Sequence, residues 1–391
     1  MTAAIAGYAW RTPLGSSIEA VLSRLLAGEH AVRPAPHAAS AGCRLRCATA
    51  DGAARSRSDR FLDRLGLLAL DAGREAMTNA DLGRDDARLE RTALFAATGG
   101  LRPRWSDMLP ALARQRDDGT ALWDRGLSRF HPFWMLQHLS NNVHAVLSIE
   151  LQIRGEGSTF AGPTAGAEAL CAAIRALEAG AVDAALVVAY DSLLDPQCSA
   201  DLTRRGVATP ADLQHWRPPY DQGAAGIVPG EASAALVLVR GESGNGRPLL
   251  SCAAATDPDP LASGEPRPER LAEVAALVGR DDAIVDGAAY GRSELDAAER
   301  SALIGVVPRS AHLVCTAASF GRIGAAGPLV QAIAAVEFLR RRLLPPIAGL
   351  HEAAAGALDV VTAATRTDRN SALLLSGGAP GAVAAIRVEV A

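Results

Sequence analysis

The residues of this chain best equipped for chemistry are six cysteines (Cys43, Cys47, Cys171, Cys198, Cys252, Cys315) and eight histidines (His30, His37, His131, His138, His144, His215, His312, His351). A zinc site needs such ligands clustered at short spacings. Only Cys43 and Cys47 are close, and no nearby histidine completes a set. The histidines form no HxxxH, HExxH or HxH arrangement, so they read as surface or hydrogen-bonded core residues and no metal is expected. Lysine is absent altogether: all 39 basic side chains are arginine. Schiff-base chemistry, a pyridoxal phosphate anchor and a phosphate-binding loop each require a lysine amine and are excluded. The glycine-rich stretches Gly241–Gly246 and Gly377–Gly381 do not stand between a strand and a helix, as a dinucleotide site requires. No cofactor is expected.

The charge balance of the 391 residues narrows the classes further. With 39 basic and 43 acidic side chains the net charge is −4, which is not the basic surface of a nucleic-acid binder. Hydrophobic residues make up 49% of the chain and aromatic ones only 4%, so Ala, Val, Leu and Ile must fill the core. Met1–Ile5 has neither the basic start nor the sustained apolar run of a signal peptide, and no apolar run reaches membrane-spanning length. The reading is a cytoplasmic protein with reduced thiols and no membrane contact.

Short apolar runs alternate with alanine-rich stretches, the pattern of an α/β protein with buried strands. Val182–Tyr190 and Ala232–Val239 read as buried strands, and a helix over Thr164–Ala179 stops at Gly180. Residues 241–248 (GESGNGRP) read as a linker between an N-terminal half, 1–240, and a C-terminal half, 249–391. The second half repeats the logic with a glycine turn at Gly324–Gly327 and a helix over Leu329–Arg341. Each half opens its central helix with an Ala-Gly step, Ala165-Gly166 and Ala326-Gly327. The last strand is expected over Ala382–Val390, after a turn at Ser376–Gly381.

Arg217–Ala232 (RPPYDQGAAGIVPGEA) resembles the β-ketoacyl synthase pattern R-P-F-D, four residues, G, three residues, G-E-G. Other pieces fall in the family's order: Thr12–Gly15 (TPLG), Leu25–Gly28, Leu151–Gly157 with Thr164–Ala169, Val285–Glu299 and Ser376–Ala385. The resemblance implies the thiolase-like fold, an α/β five-layered αβαβα sandwich made of two similar halves and paired as a dimer. It also implies that Glu231, Asp296 and Glu299 are structural carboxylates that tie turns and helix starts.

The same resemblance locates the catalytic positions. The family's nucleophilic cysteine opens a buried helix, where the helix dipole lowers its pKa; Pro163 occupies that position here, and proline at the first helical residue has a structural explanation. The first catalytic histidine falls on Ala288, the lysine on Ala317, the second histidine on Arg322 and the gating phenylalanine on Ala379. Arginine stays protonated, so Arg322 could hold an anion but not act as a base. Thr164 lacks an adjacent base, and Cys171 reads as a packing thiol.

A ketosynthase-like chain without its nucleophile is similar to the chain length factor, or ketosynthase β subunit, of type II polyketide systems. Gly321-Arg322 followed by Gly324–Leu329 resembles the G-R-L-x-x-G-x-x-P-L run of those subunits, one residue shorter. Many aromatic-polyketide factors carry Gln at the cysteine position; Pro163 leans toward highly reducing or polyene-making systems. The implied role is architectural: heterodimerisation with a catalytic ketosynthase, which supplies most contacts to the acyl carrier protein. The strand Ser158, Thr159, Phe160, Ala161 is expected to pair across the dyad, and Phe133, Trp134 and Met135 to line or close the shared acyl tunnel. The alternatives are an acyltransferase or hydrolase built on Thr164, Cys171 or Cys315, and a homodimeric acyl-binding pseudoenzyme.

Overall fold

A computed structural model describes residues 2–34, 46–50, 60–83, 86–100, 108, 130, 132–209, 216–241, 246–279 and 282–391. Cys43, His37, His131, His215 and residues 242–245 of the expected linker lie outside the described residues.

The first half contributes five strands: β1 (Ala3–Arg11), β2 (Thr92–Thr98), β3 (Gly157–Ala161), β4 (Ala184–Ser192) and β5 (Glu231–Arg240). Its helices are α1 (Ile18–Leu26), α2 (Arg64–Asn79), α3 (Trp134–His138), α4 (Asn142–Leu151), α5 (Ala165–Glu178) and α6 (Pro196–Arg204). The second half has strands β6 (Leu249–Thr256), β7 (Ile284–Asp286), β8 (His312–Val314), β9 (Asp359–Val360), β10 (Ser371–Gly378) and β11 (Ala382–Glu389). It has helices α7 (Pro268–Ala275), α8 (Ser293–Ala302), α9 (Thr316–Phe320) and α10 (Gly327–Arg341).

These strands form one continuous sheet in the order β9-β8-β7-β10-β11-β6-β1-β5-β4-β2-β3. Within it the halves are copies in topology. The first runs β3-β2-β4-β5-β1 and the second β8-β7-β10-β11-β6, each with three parallel strands followed by two antiparallel ones. They join where Ala3 and Ala4 of β1 pair with Leu250 and Leu249 of β6. Helix α2 covers the outer face of the first half, and α7 with α8 covers the second. Helices α5 and α10 lie between the two halves of the sheet and touch both, which completes the five layers. A helix between two sheets must be apolar on every side, and Pro328–Leu339 of α10 is buried without a break.

The structure corrects the expected boundaries around the site. Helix α5 begins at Ala165 with Thr164 at its N-cap, so Pro163 precedes the helix rather than opening it. The chain turns there through Gly162 at φ 146°, a conformation that a side chain disfavours. Strand β10 runs through Gly378, paired with Ala382, so the first half of the stretch 376–381 is strand and the turn is only 379–381. Helix α10 starts at Gly327, because Pro328 in the first turn lacks an N–H that would have had no helical partner.

Candidate functional site

Four of these strands deliver their C-terminal ends to one place, the usual location of sites in parallel α/β sheets. Pro163 follows β3, Gly287 and Ala288 follow β7, Ala317 and Arg322 follow β8 through α9, and Ser376 and Gly377 close β10. Together with Gln331 of α10 they line an inner crevice of about 50 Å³. The sequence positions Pro163, Ala288, Ala317 and Arg322, far apart in the chain, are thus brought together. The crevice has room for a few waters and not for an acyl group. Pro163 packs closely on the end of β10: a methyl placed on Gly378 would come within 2.5 Å of the Pro163 Cβ.

Pro163, Ala288, Ala317 and Arg322 bring neither a nucleophile nor a base into this crevice, and Thr316, which also lines it, donates its hydroxyl to buried Asp286 at 2.8 Å. Thr164 Oγ1 lies 3.4 Å from Glu168 Oε1, so a carboxylate does neighbour it, contrary to the sequence reading. Thr164 is nevertheless only 1% exposed, beyond the reach of a substrate. Cys315 is buried among apolar side chains, and burial pushes its thiol pKa upward, away from the reactive thiolate. Cys171 is half-buried rather than packed in the core. Its thiol faces Cys252, whose Sγ lies 3.3 Å from the Ala167 carbonyl.

Arg322 is engaged by a carboxylate of the chain itself. Its guanidinium donates to Glu265 Oε2 at 2.7 Å and to the Gly377 carbonyl. Arg205 donates to the other oxygen, Glu265 Oε1, at 2.7 Å, and also pairs with Asp201 of α6. The alternating charges compensate one another. On the outer side of this ion-pair chain lies a cavity of about 460 Å³ that reaches Gly99, Cys198, Leu202 and Ala379. Sequence reasoning missed Glu265 and Arg205, and no motif in the notation of the family marks either of them.

Beneath the crevice the acidic side chains of the sequence motifs hold backbone and side-chain donors. Glu299 accepts from Ala288 N at 2.7 Å and from the Tyr220 hydroxyl at 2.8 Å. Asp296 accepts from Tyr220 N and Gly291 N. Tyr220 itself sits at φ 68°, held there by these bonds, which accounts for the tyrosine and acids of the two sequence motifs. Glu231 accepts from Ala50 N and pairs with Arg64. Asp286 accepts from Thr316 N and Oγ1.

Burial raises the pKa of both Asp286 and Asp296 to about 7. The folded chain therefore holds protons that the unfolded chain, with carboxyl pKa values near 4, releases. Stability should fall as pH rises from about 4 to about 7 and level off above that. Thermal unfolding from pH 5 to 8 should show this decline, and Asp286→Asn should make it shallower. An identical pH slope in the variant would contradict the assignment for Asp286.

The expected tunnel segment divides in two. Trp134 turns inward, its ring stacked on Phe130 at 4.5 Å and edge-on to His138 at 5.0 Å. Phe133 packs on Phe61 at 5.4 Å yet stays 37% exposed, and Met135 is 61% exposed. Trp134 thus differs from its two neighbours in exposure. Six large hydrophobic side chains are exposed among the described residues, and five of them (Phe133, Met135, Leu136, Leu139, Ile149) fall within 133–149. Beside them lies β3, the edge strand of the sheet, with Ser158 and Ala161 exposed and Thr159 and Phe160 half-buried. His144 of α4 bonds to Thr159 at 3.2 Å, which fixes that helix against the edge. No helix among the described residues is long and apolar enough to cross a membrane, and none of them form a metal-ligand cluster.

Comparison with known proteins agrees with this geometry. The family model described as the N-terminal domain of β-ketoacyl synthases matches residues 2–243. The protein named beta-ketoacyl synthase 2 of the actinorhodin polyketide, from Streptomyces coelicolor, is 35% identical over 223 residues, 52% of this chain and 53% of that protein. The tetracenomycin polyketide synthase ketoacyl synthase beta subunit of Streptomyces glaucescens is 29% identical over 288 residues, 68% of this chain and 69% of that protein. The first of these alignments thus spans about half of the relative's length. Among solved structures, the ishigamide ketosynthase/chain length factor superposes with a TM-score of 0.84 at 20% identity, covering 100% of this chain and 99% of that one. A β-ketoacyl synthase from Burkholderia phymatum gives 0.82 at 18% identity, covering 100% and 99%.

Proposed function

This chain belongs to the β-ketoacyl synthase family, and on that premise we propose that it is a non-catalytic chain length factor paired with a cysteine-containing ketosynthase. One observation carries the reading. The family's catalytic positions converge on a crevice as they would in an enzyme, yet Pro163, Ala288, Ala317 and Arg322 provide neither a nucleophile nor a base. The scaffold is kept and the reaction is lost, as expected of a subunit that acts through its shape. The names of the polyketide relatives, one of them a ketoacyl synthase beta subunit, support the same role.

The partner surface follows from exposure. An open strand edge beside five exposed hydrophobic side chains is a liability in a lone chain and an asset in an interface. In this reading β3 pairs with the partner's strand, and Phe133 and Met135 reach the tunnel in which the polyketide grows. The complex works in the cytoplasm, and the carrier protein docks mainly on the partner. The absence of Gln at the cysteine position favours a reduced, polyene-type product.

The test is the native mass of the chain, alone and co-produced with the ketosynthase encoded beside it. A one-to-one complex is expected, with the lone chain monomeric or insoluble; a stable homodimer that ignores the ketosynthase would overturn the reading. Within that complex, Phe133→Ala should lengthen the product by one or more extension units. Unchanged product masses from an intact complex would remove Phe133 from the tunnel.

A further inference from the structure

The inner crevice and the outer cavity share four lining residues, Pro163, Arg322, Gly324 and Gly377. Of these only Arg322 has a long side chain, and its guanidinium is held at the boundary between them. Its Nη2 donates both to Glu265, on the loop before α7, and to the Gly377 carbonyl of β10. The backbone directs the side chain there. Gly321 at φ 74° makes the turn that precedes it, and a methyl on Gly321 would press within 3.0 Å of the Val228 carbonyl. Arg322 N then donates to Val228 O at 2.7 Å, and Gly230 N donates to Arg322 O at 2.8 Å. The residue is pinned along its backbone and at its tip.

We infer that Arg322 is a plug that keeps the vestigial site shut against the neutral amide–thioester arm of an acyl carrier, so that chains are delivered only to the partner. The inference rests on the chain length factor reading. The chemistry fits exclusion rather than capture. With Arg322 and Arg205 compensated by Glu265 and Asp201, the outer cavity has no free positive charge to attract an anion. A neutral, extended arm would find room in the outer 460 Å³ and meet the guanidinium where it needs to pass.

The ion-pair chain also says which substitution will open the passage without breaking the fold. Glu265 has two guanidinium partners, so removing Arg322 leaves it paired with Arg205. Removing Glu265 instead would leave two arginines facing each other in a mostly buried setting, which is far more costly. Arg322→Ala should therefore fold, and Arg322→Met offers a second variant that keeps most of the length while losing the charge.

The experiment uses a pantetheine amide carrying a photoreactive diazirine at its thiol end, with cross-links mapped by mass spectrometry. It is run on the complex with its catalytic cysteine alkylated and, separately, on this chain in whatever assembly it forms alone. Cross-links to peptides containing Ala288, Ala317, Gln331 or Ser376 should be near background in the wild type. They should rise at least tenfold in Arg322→Ala, with a smaller rise in Arg322→Met and thermal unfolding within a few degrees of wild type. Equal labelling of the wild type, or no gain in either folded variant, would overturn the plug. Because labelling is read on this chain's own peptides, a missing ketosynthase complex would count against the functional reading and leave the plug separately decided.

Discussion

Replacing Gly166 with valine should leave no soluble chain, and replacing it with alanine should lower stability by roughly 1–3 kcal/mol. A Cβ at this position would lie 2.3 Å from the Ala325 carbonyl oxygen and 3.0 Å from Leu329 Cδ1. The first contact is with backbone, in the layer between the two halves of the sheet, where nothing can yield without separating α5 from the start of α10. Glycine inside a helix ordinarily costs about 1 kcal/mol relative to alanine, so an unobstructed site would respond with the opposite sign. Gly327 provides the comparison. It occupies the matching step of the second half, has nothing within 4 Å of a built Cβ and sits in helical conformation at φ −50°. Gly327→Ala should be neutral or slightly stabilising. Thermal unfolding of the alanine variants checks both, and a Gly166→Ala protein as stable as wild type would mean that the helices are not in this close register.

Ile149→Arg should abolish the complex while sparing the isolated chain. Ile149 is 74% exposed on α4, the helix that His144 ties to the edge strand β3. A surface substitution of this kind changes the stability of one chain by no more than about 0.5 kcal/mol. In an interface the same arginine becomes a buried, unpaired charge. The penalty is about 3 kcal/mol or more, over a hundredfold in dissociation constant. Native mass and the unfolding temperature of the variant are the two readouts. An undiminished complex would place the partner elsewhere, and Leu277, the remaining exposed large hydrophobic among the described residues, would be the next position to change.

Much of the architecture was legible because its signals are local. Strands β4 and β5 are continuous apolar runs, and α5 is bounded by Gly162 and Gly180. The motif order along the chain identified the family and the two-half fold. Boundaries were less legible where a residue has two local meanings. Pro163 suits the first turn of a helix as well as the residue before a cap, and Gly377 and Gly378 suit a turn as well as a strand. Pairing with Val383 and Ala382 decided the glycines. The aromatic cluster at 133–135 misled in a similar way. Consecutive residues diverge around a short helix, so Trp134 is half-buried while Phe133 and Met135 are exposed.

The sequence by itself determined what this protein lacks. A chain with proline where the resemblance places the nucleophile, alanine where it places the first histidine and no lysine anywhere cannot acquire those groups by folding. Tertiary structure alone decided what the remaining groups do. Arg322 meets Glu265 across 57 residues of sequence, and Glu265 meets Arg205 across 60, so this chain of ion pairs has no local signature. The two Ala-Gly steps look equivalent in sequence. Only the crossing of the central helices makes Gly166 indispensable and Gly327 replaceable, because a Cβ is forbidden by the atom it would meet, and that atom belongs to the other half of the molecule.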